Sequence, residues 1–352
     1  MIRRYLLAGL TALAAVLAPA TPAAAHGGSD ADVTSNYRTS ITDISDIDGL
    51  TAKIVGIDGT IEIAWTGPGS LLVAGYEGEP YLRIDATGVS QNMRSPATYL
   101  NQDRYANIEL PDTADAGAEP DWQLVTEQRR YQWHDHRVHW MSPTPPSDVV
   151  EDDNRTHVIY DRWEIPLTVD GRDAVIAGQL TWTPPPPLLS WLAGAAAIAA
   201  AGVLVLWSRW WRIGAALLAA VGTLAITIDT IGFVAVMDDS VSNRVWAFIY
   251  SVLAAAATAR LIVHAKRVTS EPTLAMMSAG LLLLVMGGID RLDVLTASHY
   301  FSGFPAVTGR VAAVMCIGIG AALVARFLAF LIPLVVRPPE RSTQAEPDVT
   351  PA

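Results

Sequence analysis

Between Trp133 and Met141 the chain reads Trp-His-Asp-His-Arg-Val-His-Trp-Met, which gathers three of its 7 histidines into one short stretch. Neutral imidazole suits copper, zinc or nickel, and two imidazoles at i and i+2 of a strand project from one face, where they can share an ion. Strand alternation puts His134 and His136 together and sends His139, with Asp135, to the opposite face. A carboxylate that orients a ligating ring is expected from Asp135 or from the acidic run Glu151-Asp152-Asp153, with His157 a spare imidazole beside that run. Two other readings of the same residues stand beside the metal site. One is a polar network around Trp133 and Trp140 that holds the loop Pro143 to Pro146, and the other is a catalytic role. No Walker loop, no GxGxxG after a strand, no GxSxG and no HExxH occurs, so no enzyme is expected.

A fourth histidine bears on the metal reading through its place in the chain. Residues 1–25 have the form of a secretory signal: Arg3-Arg4, an apolar stretch from Tyr5 to Leu17, and the small residues Ala23-Ala24-Ala25 at the cleavage site. Cleavage after Ala25 leaves His26 at the N-terminus, where its free amine and its ring can hold one ion. With a further imidazole this makes a histidine brace. The arrangement resembles the copper sites of lytic polysaccharide monooxygenases and of periplasmic copper-resistance chaperones, both of which fold as sandwiches. The terminal histidine is the whole of that match. The ligand set expected is His26, His134, His136 and His139, with copper as the ion and zinc as the second choice.

The elements that must position these residues change character along the chain. Of 352 residues 51% are hydrophobic and 17% charged, with a net charge of -11, which places the chain among membrane proteins and excludes a nucleic-acid binder. The single cysteine, Cys316, rules out a disulfide framework or a Cys-rich zinc site. From His26 to Pro187 short alternating runs such as Ile61–Trp65, Leu71–Ala74 and Tyr81–Ile84 are separated by Gly, Pro and Asp turns. Longer runs follow at Tyr131–Trp140, Val158–Leu167 and Ala174–Trp182. This predicts an extracytoplasmic β-sandwich, immunoglobulin- or copper-chaperone-like, over residues 26–183. That stretch and the following prolines carry 26 acidic against 11 basic residues, so the acidity belongs to this domain. The turns Tyr76-Glu77-Gly78-Glu79-Pro80-Tyr81 and Arg94–Tyr99 offer polar and aromatic edges for docking, with Tyr76, Glu77 and Glu79 as candidates.

Pro184–Pro187 reads as a stiff linker. After it, over residues 188–336, come apolar segments near 188–207, 213–236, 245–264, 273–290 and 309–336, an all-α bundle of five transmembrane helices. Arg209, Arg212, Lys266, Arg267 and Arg337 fall between or after them so that the first domain lies outside and the tail, 337–352, inside. A multi-pass protein of the cell membrane is expected, with the membrane and a second membrane protein, reached through the spans or outer loops, as partners. Within the spans Asp229, Asp290 and Arg326 are costly groups, and Asp229 is expected to pair with Arg326. The loop Asp290–Asp293 with His299–Phe301 is expected to extend a cation path or dock the outer domain. Met276, Met277, Met286 and Met315 are read as packing rather than a Cu(I) path.

The chain also resembles a family of actinobacterial secreted, membrane-anchored proteins. The likeness lies in Ser35-Asn36-Tyr37-Arg38, Gly75-Tyr76-Glu77-Gly78-Glu79-Pro80-Tyr81-Leu82-Arg83, Arg94-Ser95-Pro96-Ala97-Thr98-Tyr99-Leu100-Asn101 and the Trp133–Met141 stretch, together with the five spans. It implies an anchored outer domain and no activity. The function expected is transition-metal, most plainly copper, binding and handling at the membrane. A docking or assembly protein whose histidines are structural is the second reading, and a transporter subunit using Asp229, Asp290 and His299 the third.

Overall fold

A computed structural model describes residues 34–57, 59–237, 241–266 and 274–336. The signal sequence, His26 and the tail from 337 lie outside the described residues. Among those described, eleven strands precede the first long helix: β1 (Thr34–Ser35), β2 (Tyr37–Ile44), β3 (Leu50–Val55), β4 (Thr60–Trp65), β5 (Leu71–Ala74), β6 (Pro80–Asp85), β7 (Gly88–Asn92), β8 (Trp122–Thr126), β9 (Arg130–His134), β10 (His157–Val169) and β11 (Arg172–Trp182). Ten of them form two antiparallel sheets, one of seven strands in the order β2-β11-β10-β5-β6-β7-β8 and one of three, β3-β4-β9.

Alternation of side chains explains the burial. Ile61, Ile63 and Trp65 of β4 and Trp133 of β9 face inward, and they share one core with Leu71, Val73, Leu82, Ile84, Ile165 and Ile176 of the larger sheet. The long β10–β11 hairpin turns through Asp170 and Gly171, both at positive φ (48° and 78°), the geometry of a two-residue turn that matches strand twist. Asp170 also accepts a hydrogen bond from the Ser70 amide at 3.1 Å, tying the turn to the start of β5.

Among the described residues, five helices are long and apolar enough to cross a membrane: Leu188–Leu206, Trp211–Val236, Val241–Ala265, Leu274–Thr296 and Ala306–Ile332. The first and fifth pack closely through small residues. A Cβ on Gly202 would come within 2.7 Å of the Ala322 side chain, and one on Gly318 within 2.7 Å of the Ala195 carbonyl. The fourth is irregular. An α-helical start, Leu274–Leu281, passes into a π-helical turn, Leu282–Met286, then a 3-10 turn, Ile289–Arg291.

Between the fourth and fifth spans a short strand, β12 (His299–Tyr300), pairs antiparallel with β1, with Thr34 opposite Tyr300 and Ser35 opposite His299. The Thr34 hydroxyl donates to Asp293 at 3.2 Å and the Ser298 amide to the Asn36 side chain at 2.9 Å. Of the two roles expected for this loop, docking of the sheet region is the one its hydrogen bonds perform.

Candidate metal centre

The three clustered histidines sit where β9 ends. β9 pairs with β4 so that Trp133 lies opposite Ile61 and His134 opposite Thr60, and the Asp135 amide then donates to the Gly59 carbonyl at 3.2 Å. Beyond that point the strand stops. The Val138 amide donates to the Asp135 carbonyl at 3.2 Å, closing a turn, and the alternation expected through His139 is broken. This corrects the separation of the rings onto two faces: His139 returns to the side of His134 and His136, while Trp133, Asp135 and Val138 point into the protein.

Asp135 holds the turn. Its fully buried carboxylate accepts from the Trp133 indole at 2.8 Å, from the Arg137 amide at 3.0 Å, and from the Arg137 guanidinium at 2.9 and 2.7 Å. Burial alone would raise this carboxyl, but the hydrogen bonds and charge of Arg137, with the Trp133 N–H, hold it below the usual range. Arg137 also donates to the Ala74 carbonyl at 3.1 Å and lies 5.1 Å over the Tyr76 ring. Asp135 therefore does not orient a ligand ring as a carboxylate partner; it shapes the loop that carries the rings.

One ring nitrogen each from His134, His136 and His139 lies within 4.8 Å of the others, so this group could hold a metal ion. Ligand nitrogens of a tetrahedral site, at about 2.0–2.1 Å from the ion, are roughly 3.4 Å apart, so small ring rotations suffice. Backbone carbonyls set the tautomers. His139 donates from Nδ1 to the Trp140 carbonyl at 3.0 Å, which leaves Nε2 with its lone pair. His136 donates from Nε2 to the Asp103 carbonyl at 2.8 Å, which leaves Nδ1 with its lone pair. His134 Nε2 lies 2.7 Å from His139 Nε2, and with His139 fixed as acceptor it is His134 that donates. To hold an ion through both Nε2 atoms, His134 would have to carry its proton on Nδ1 instead.

All three rings are held neutral. Burial, with the neighbouring Arg104 charge and the His136 ring, lowers His134 to about 4. Burial and the His134 ring lower His139 to about 3, and burial lowers His136 as well. A neutral imidazole presents a lone pair, the form that metals bind.

Other candidate residues have different duties. The Tyr76 hydroxyl donates to Asn101 and accepts from the His136 amide at 3.0 Å, while its ring stacks on His136 with centroids 5.6 Å apart. Tyr76 is thus a support of the histidine cluster, not an exposed docking edge. Glu79 is buried and closes its own turn, accepting from the Glu77 amide at 2.9 Å and the Ser95 hydroxyl at 2.5 Å, whereas Glu77 is exposed. His157 is buried away from the cluster, donating to the Asp152 carbonyl at 2.6 Å beside Trp182, and the acidic run does not reach the rings. Asp229 lies 3.7 Å from Arg291 and accepts from the Tyr300 hydroxyl at 3.2 Å. Arg326 instead donates to the Leu206 carbonyl at 3.1 Å and stacks on Trp207 and Trp211, so the expected Asp229–Arg326 pair is not formed. Asp290 is exposed in the 3-10 turn.

Gly59 belongs to the site although its type gave no chemical reason to choose it. At φ +92° it passes under His139, and an added Cβ would come within 2.8 Å of that ring. The Asp58-Gly59 pair is a hairpin signal between two strand patterns, which marks the turn but not what lies over it. Comparison with family models, curated proteins and solved structures gives no match for the chain.

Proposed function

We propose that the sheet domain is a metal-holding module outside the membrane, anchored by the five helices, that binds a transition metal and keeps it for a membrane partner without a catalytic step. The observation that carries this reading is the convergence of His134, His136 and His139 within 4.8 Å. Three neutral imidazoles, two of them steered by carbonyls, form a donor set that copper occupies ahead of zinc on general affinity order. Two antiparallel sheets around one core support the reading of this domain as a sandwich, and His26, freed by signal cleavage, is the fourth ligand of the proposal. Basic Arg209, Arg212 and Lys266 with Trp207 and Trp210 at the opposite ends of the spans support an outer position for the domain.

The test uses the full chain, purified in detergent, stripped of metal and titrated with Cu(II) and with Zn(II), after N-terminal sequencing of the mature protein. Equimolar Cu(II) binding that is lost in H134A and H139A is the expected result. A form with one residue ahead of His26 is expected to bind Cu(II) more weakly. Binding indifferent to both histidine variants overturns the reading.

A further inference from the structure

A cavity of about 450 Å³ lies between the sheet domain and the segment that joins the fourth and fifth spans. Its floor is the start of the fifth span at Ala306, and its walls include Arg38, Ile54, His299, Phe301 and Phe304. For a fifth span that crosses a bilayer from Ala306, this position would fall in the boundary layer between hydrocarbon and headgroups.

The lining carries two basic side chains, Arg38 and His299, while Tyr300, also in the lining, turns its hydroxyl to Asp229. Arg38 is exposed on β2, and its guanidinium has no acidic partner among the described residues. Arg310, one turn into the fifth span, spends its donors on neutral carbonyls: Val294 at 3.2 Å, Ala297 at 2.9 Å and Ser298 at 2.8 Å. The buried His299 Nε2 has no hydrogen-bond partner among the described residues. Arg38 and His299 are the basic groups of the lining; Arg310 lies outside it, and after burial itself the charges of Arg38 and Arg310 lower the His299 ring. The lining also holds Phe301 and Phe304; Phe304 packs against Gly232 yet keeps 39% of its surface exposed. A free inorganic anion would use only the basic pair. An amphiphile with a charged head uses both pairs, the head on Arg38 and the chains along Phe301 and Phe304.

We propose that this cavity binds the phosphate headgroup of an anionic membrane lipid, clamping the sheet domain to the membrane at the β1–β12 junction. The site is independent of the histidine centre.

The experiment is native mass spectrometry of the full-length, delipidated protein, given dioleoylphosphatidylglycerol or dioleoylphosphatidylcholine. The expected result is one retained phosphatidylglycerol per chain in preference to phosphatidylcholine. Retention falls roughly tenfold in R38Q, the worth of a lost charge-assisted contact, and falls also in F304A. R209Q, at the opposite ends of the helices, leaves it unchanged. Phosphatidylglycerol retention at wild-type level in both R38Q and F304A overturns the proposal. Displacement of the lipid by millimolar inorganic phosphate overturns it too, since the site would then take a free anion.

Discussion

The Nε2 atoms of His134 and His139 face each other at 2.7 Å, sharing one proton across a gap that an ion can widen and fill. The ring that donates is on the last residue of a strand and the ring that accepts is on the far side of a turn. The turn is therefore as much a part of the centre as the nitrogens. For both nitrogens to serve one ion, the proton between them would have to pass to Nδ1 of His134, a change of tautomer and not of charge.

Removal of any one imidazole of the three is expected to weaken Cu(II) binding beyond the roughly 10–100-fold typical of an outer partner's loss, whereas H157A leaves it unchanged. Calorimetric titration of the full-length H134A, H136A, H139A and H157A proteins measures this. A loss in H157A equal to that in H139A would show that the site lies elsewhere.

The Asp135–Arg137 pair is the buried lock of the loop. Asp135→Asn leaves the Arg137 guanidinium beside the Ala74 carbonyl without its counter-charge, and such breaks cost about 3–5 kcal/mol. A lower midpoint in chemical denaturation followed by tryptophan fluorescence is the expected outcome. The same variant weakens metal binding because the rings lose their fixed positions, and an unchanged midpoint would show that the turn holds without its lock.

Acid should destabilise the metal-free protein. The unfolded imidazoles titrate near 6.5, whereas folding lowers His134 to about 4 and His139 to about 3. As pH falls through 6.5 toward 3 the unfolded state takes up these protons first, so stability is complete above the window and is lost within it. Denaturation midpoints at several pH values should show this slope in the wild type and a flatter one in H134Q/H139Q. A wild-type midpoint constant from pH 7 to 4 would contradict it.

Gly59→Ala places a methyl group 2.8 Å from the His139 ring and forces a side chain onto positive φ. A loss of about 1–3 kcal/mol is expected from strain and overpacking. Metal affinity falls with it, because His139 must shift. Thermal melting with and without Zn(II) separates the two effects.

In the membrane region Asp229→Leu leaves Arg291 without its carboxylate, while Arg326→Gln removes stacking on Trp207 and Trp211 and one carbonyl contact. The first is expected to lower the melting temperature of the detergent-solubilised protein more than the second, about 1–3 kcal/mol against 1 kcal/mol or less. The reverse order would mean that the arginine stack, not the Asp229–Arg291 pair, secures the bundle.

The five spans and the strand-rich region before them could be read directly from residue order, because hydropathy over some twenty residues and period-two alternation are local properties. The expected span near 213–236 and the observed Trp211–Val236 differ by only two residues at one end. The histidine cluster was visible for the same reason, as three imidazoles in one short stretch. Its geometry was not. Alternation assigns His139 to the wrong face because nothing local records that β9 ends at His134. That ending comes from the buried Asp135 drawing Trp133 and Arg137 around itself and from the Gly59 backbone receiving the next amide. Likewise the depth of Asp229 along its helix allowed Arg326 as a partner, but the direction in which each side chain leaves its helix decides who meets whom. Arg291, in the 3-10 turn of the fourth span, meets Asp229, and Arg326 meets Trp207 and Trp211. Contacts between residues far apart in the chain depend on where turns stop the strands and how helices rotate about their axes, and those are set by the packing of the whole.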